Sequence, residues 1–74
     1  MESMKTTIRL WEALKKMYPP IDFYSITLNR NQVRLMSEYT AAAGKWCHAN
    51  KFDVHLEDTG FVYCTRGRVV IVLT

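Results

Sequence analysis

The chain reads as an α+β fold, two helices packed on a three-stranded antiparallel β-meander, with residues 21–28 either adding a strand or linking the helices. Three observations carry this. Apolar residues recur at helical spacing up to about residue 50, and the period switches to two from Phe52 onward. The run Val69-Val70-Ile71-Val72-Leu73 is apolar throughout, whereas a strand with one wet face alternates. Seventy-four residues, 49% hydrophobic and 23% charged, hold one core and one domain, 1–74. A chain this short buries only about 60% of its unfolded surface, so a second copy is a natural source of further burial.

Leu10, Trp11, Leu14, Met17 and Tyr18 recur as one helical face, with Thr6 or Thr7 as N-cap. Lys5, Arg9, Glu12 and Lys16 fall on the solvated side, and Pro19-Pro20 ends the element. In 21–28, Phe23, Tyr24, Ile26 and Thr27 suit an extended segment. Asn29, with Gln32 three residues on, has the spacing of a capping box and opens a second, longer helix that exits at Asn50-Lys51. Leu35, Met36, Tyr39, Ala42, Ala43 and Trp46 share its apolar face, and Gly44 marks a close crossing or an early end.

Two turn signals divide the remainder into strands over 52–57, 61–66 and 69–73. Asp58-Thr59-Gly60 suits a three-residue hairpin loop with glycine in the left-handed position, which sets Glu57 opposite Phe61, His55 opposite Tyr63 and Asp53 opposite Thr65. The next turn uses Arg66-Gly67 or Gly67-Arg68. Both choices leave the faces unchanged, because they differ by two residues. Phe52, Val54, Leu56, Val62, Cys64, Val69, Ile71 and Leu73 form the core side under the second helix. Phe61, Tyr63, Val70 and Val72 lie on the other side with Asp53, His55, Glu57 and Thr65, covered either by the first helix or by another molecule.

Chemistry-bearing motifs are few. Cys47, His48, His55 and Cys64 are the sole soft-metal set, but adjacent helical residues point about 100° apart and His55 and Cys64 fall on opposite sheet faces, so no metal site is expected. The same residues offer no thiol with a base in reach, and Asp53, His55, Glu57 and Tyr63 read as cross-strand surface pairs, so no catalytic residue is expected. Three glycines and no GxxxxGK[ST] leave no phosphate loop, and no cofactor or small-molecule substrate is indicated. Met1-Glu2-Ser3-Met4-Lys5 opens no signal-peptide pattern and no stretch has membrane-spanning length, so a cytoplasmic protein with reduced thiols is expected.

The expectation is a non-enzymatic interaction module or regulator that binds a protein partner, a homodimer being one form of this. Phe61, Tyr63, Val70 and Val72 supply apolar area and His55, Glu57 and Arg68 a polar rim. Small size and missing enzyme motifs fit a phage or mobile-element accessory protein that inhibits a host protein. The alternative is a winged-helix-like nucleic-acid-binding regulator using Arg30, Arg34, Arg66 and Arg68. The net charge of +3 permits that contact without requiring it.

Overall fold

The computed structural model describes residues 2–74. Residues Glu2–Lys16 form helix α1. Thr6 and Thr7 lie inside it, Thr7 fully buried, so neither caps it as expected from the sequence. The helix tightens as it ends, with Met17 N–H donating to the Leu14 carbonyl at 3.0 Å and Tyr18 N–H to that of Lys15 at 3.1 Å. Tyr18 takes the left-handed conformation (φ 49°) just before the two prolines.

Strand β1 (Ser25–Leu28) and strand β2 (Val33–Ser37) follow as an antiparallel hairpin. Here the structure corrects the sequence reading: 33–37 is a strand, and the second helix, α2, runs only over Ala41–Ala49. Asn29 does accept from the Gln32 N–H, at 3.0 Å, and from the Asn31 N–H at 2.9 Å. The same side-chain-to-backbone bond serves a helix N-cap or an Asx turn, and here it makes the β1–β2 turn. The true cap of α2 is Thr40, whose hydroxyl accepts from the Ala43 N–H at 3.0 Å. At the other end Asn50 Nδ2 donates to the Trp46 carbonyl at 2.8 Å, and Lys51 (φ 67°) turns the chain into the sheet.

Strands β3 (Asp53–Leu56), β4 (Val62–Arg66) and β5 (Val69–Leu73) form the expected antiparallel run, with His55 opposite Tyr63 and Asp53 opposite Thr65. Glu57 N–H donates to the Phe61 carbonyl and Gly60 N–H to that of Glu57, both at 2.9 Å, with Gly60 at φ 89°. The second turn uses Gly67-Arg68, with positive φ at the glycine alone, as a type II′ turn requires. The meander is not the whole sheet, however. β5 also pairs in parallel with β2, giving a mixed five-stranded sheet in the order β1-β2-β5-β4-β3.

Both helices lie on one face. Leu14 of α1 and Ala43 and Cys47 of α2 join Val33, Leu35, Cys64, Ile71 and Leu73 in a single buried cluster. Trp11 meets Phe23 edge-on at 6.3 Å, and Trp46 meets Phe52 at 5.7 Å. The fold is therefore two layers, and α1 leaves the outer sheet face open.

Candidate functional site

The outer face carries Ser25, Thr27, Arg34, Met36, Tyr63, Thr65, Val70, Val72, Asp53 and His55, as the strand registers dictate. The four apolar side chains singled out from the sequence are together here, but they are not equally available. Val72, between Met36 and Tyr63 in the register, is only 1% exposed although no helix covers it. Tyr63 and Val70 are half-buried, and Phe61, at the hairpin tip beyond β4, is exposed. His55 and Glu57 are exposed on and just beyond β3, while Arg68 sits at the opposite end of the sheet, in the β4–β5 turn.

A second surface was hidden from sequence reasoning. The period of two assigns Val54 and Leu56 to the core side, and they do point to the helix side, opposite Cys64 and Val62. Yet Val54 is 43% and Leu56 75% exposed. The expected core position of both is thereby corrected, and the reason is the shortness of α2. Nine residues make a helix about 14 Å long, which seats Ala43 and Cys47 in the core and leaves edge strand β3 bare.

The result is an open groove of about 840 Å³ between α2 and β3. Tyr39, Val54, Leu56 and Val62 give it an apolar lining, and Lys45 and His48 line its α2 side. Gly44 shapes it: a β-carbon there would lie 3.3 Å from the Tyr39 hydroxyl, so the missing side chain lets the phenol lie against the helix.

The four arginines of the alternative reading gather at one end of the sheet. Arg30 lies in the β1–β2 turn and Arg34 on β2, Arg66 closes β4, and the Arg68 carbonyl accepts from the Val33 N–H at 2.8 Å. Arg30 and Arg34 do not stand on the leading turn of a helix, so the winged-helix arrangement is absent: 29–37 is turn and strand. Arg66 is engaged, donating to the Asn50 carbonyl at 3.3 Å with its guanidinium 5.9 Å from the Phe52 ring centre.

Cys47 and Cys64 meet in the core as free thiols. Burial chiefly, and then the neighbouring Cys64, push the Cys47 thiol up from 9.0 to about 12. Burial also raises Cys64, offset in part by the hydrogen bond from Cys47. Desolvation of this kind suppresses the thiolate, the form that attacks electrophiles or binds metal. Among the described residues, no three His, Cys, Asp or Glu side chains group as metal ligands, and no helix is long and apolar enough to cross a membrane.

Comparison of the chain with protein-family models, curated proteins and solved structures finds no match in any of the three.

Proposed function

We propose that this chain is a non-enzymatic protein-interaction module that acts by binding a protein partner in the groove between α2 and β3. The observation that carries the reading is Leu56, three-quarters exposed on the side of the sheet where Leu35 and Leu73 are fully buried. A lone exposed leucine is ordinary, but this one joins Val54, Tyr39 and half-buried Val62 in one concave apolar strip. Lys45 and His48, on its α2 side, supply polar groups at its margin, the usual anatomy of an interface. The outer-face patch supports binding less well because Val72 is already closed.

The test is photocrosslinking. With Leu56 replaced by a benzophenone amino acid, irradiation in the cells that make the chain should yield a protein adduct. Tyr18, exposed outside the groove, carries the control probe and should yield none. Absence of any protein adduct from position 56 overturns the reading.

The clustering of Arg30, Arg34, Arg66 and Arg68 at one sheet end favours a second reading, a nucleic-acid-binding regulator. A gel shift on random duplex that weakens steeply with salt supports it, and no shift at low salt removes it.

A further inference from the structure

β3 is an open edge of the sheet, and all four of its residues are exposed. Natural edges are blunted by shortness and charged side chains, which β3 has in its four residues and Asp53, and more strongly by proline, bulges or a covering element. The β3 segment has no proline, and it pairs with β4 without a bulge. Its backbone polarity follows from the hairpin. Glu57 N–H is bonded to Phe61, so Glu57 directs its amide toward β4, and in an antiparallel pair the direction alternates. His55 and Asp53 therefore also face β4, while Val54 and Leu56 present N–H and C=O outward.

The segment 51–57 reads Lys-Phe-Asp-Val-His-Leu-Glu. It is symmetric about Val54 in its apolar residues and antisymmetric in its polar ones. We propose that the partner on the α2–β3 side is a second copy of this chain, paired antiparallel through the open β3 edge on a two-fold axis at Val54. This rests on the reading of the α2–β3 side as the interaction surface and names its occupant.

In this register Val54 meets Val54 of the second copy, Phe52 meets Leu56 and Asp53 meets His55, each unlike pair occurring twice by symmetry. An imidazole N–H can donate to a carboxylate in either charge state. Val54 N–H bonds the Val54 carbonyl of the other copy, and Leu56 N–H bonds the Phe52 carbonyl. The Phe52 N–H is already held by the Cys47 carbonyl at 3.0 Å, which ends the ladder there.

The neighbouring symmetric registers fail on charge. Centring on His55 opposes Asp53 to Glu57, and centring on Asp53 opposes the two aspartates. Intermediate registers set groove-side residues against outer-face ones. Charge complementarity thus favours the Val54-centred register over both of these neighbours. In it the exposed Val54 and Leu56 of both copies form one apolar floor between the two α2 helices, under a continuous ten-stranded sheet built from two five-stranded ones.

Sedimentation equilibrium on the full chain tests this from about 1 to about 500 μM, a range that brackets ordinary weak to moderate self-association. The wild type should dimerise. His55→Glu, which sets Asp53 against a second carboxylate twice, should weaken the dimer by about tenfold or more. Asp53→Lys with His55→Glu restores opposite charges and should return the affinity to within about threefold of wild type. Circular dichroism confirms that each variant is folded.

A monomeric wild type, a His55→Glu dimer of unchanged affinity, or no recovery in the folded double variant each overturns the proposal. Position-56 crosslinking separates the two levels. An adduct of twice the chain mass supports the second copy, whereas an adduct to a different protein with a monomeric wild type leaves the groove reading standing and removes self-pairing.

Discussion

Replacing Leu56 by alanine separates the two fates open to a leucine on the helix-facing side of this sheet. Fully burying a leucine side chain contributes about 1.5–3 kcal/mol. Leu56 is 75% exposed, so only a quarter of that, roughly 0.4–0.8 kcal/mol, is at stake in the isolated chain. Leu73 on the same face is fully buried in the core cluster, and its truncation should cost about 2–5 kcal/mol.

Urea unfolding at about 1 μM protein, where self-association is weak, reads both values from the midpoint at constant slope. Raising the concentration adds the second half of the experiment. A dimer stabilises the native state by mass action, so the wild-type midpoint climbs with concentration. Leu56→Ala, which removes the part of the side chain that only a partner buries, should flatten that climb. A loss above about 1.5 kcal/mol for Leu56→Ala in dilute solution would refute the reasoning, because it requires the side chain to be buried in the single chain.

Three further outcomes follow from local geometry. Thr40→Ala removes the hydroxyl that caps α2 and should cost about 1 kcal/mol in urea unfolding, with Thr40→Ser recovering most of it. Gly44→Ala places a β-carbon 3.3 Å from the exposed ring tip of Tyr39, which can swing away. It should stabilise α2 by about 0.5–1 kcal/mol, and a nuclear magnetic resonance spectrum should show the Tyr39 ring shifted. Both thiols are raised in the fold, Cys47 from 9.0 to about 12, so the native state keeps protons that the unfolded chain gives up. Their contribution is complete below pH 9 and is lost as pH climbs toward 12, at up to about 1.4 kcal/mol per pH unit per thiol. Cys47→Ala with Cys64→Ala should flatten this alkaline slope relative to wild type in thermal melts, and an unchanged slope counts against the buried thiol pair.

The C-terminal hairpins were legible because Gly60 and Gly67 mark their turns and the residues between alternate cleanly, so even the pairing of His55 with Tyr63 could be read. The middle of the chain was not. Val33-Arg34-Leu35-Met36-Ser37 satisfies a period of two, yet Leu35, Met36 and Tyr39 also satisfy a helical one, and Asn29 offers the same bond to either structure. One signal that decides between them lies in β5. In a lone meander it would be an edge strand, and an all-apolar edge is an aggregation hazard. A run such as Val69–Leu73 belongs in the middle of a sheet with a strand on each side, and the segment 33–37 was the strand available to flank it. Misreading that segment also hid the groove. A helix running from about residue 30 to 50 would cover β3, whereas one of nine residues leaves Val54 and Leu56 bare.

The parallel β2–β5 pairing also bears on how the chain reaches its native state. β1 with β2 and β3 with β4 are hairpins whose partners are close in sequence, and each can close in microseconds. The centre of the sheet instead joins Val33 to Val69, thirty-six residues apart (33 to 69), across α2 and the β3–β4 hairpin. That contact carries the larger loop-closure cost. The strand that comes last in sequence is thus the wedge that locks two preformed hairpins together. Core truncations in β5, such as Leu73→Ala, are therefore placed to slow folding as well as to weaken the fold, whereas changes along β3 act on a finished scaffold.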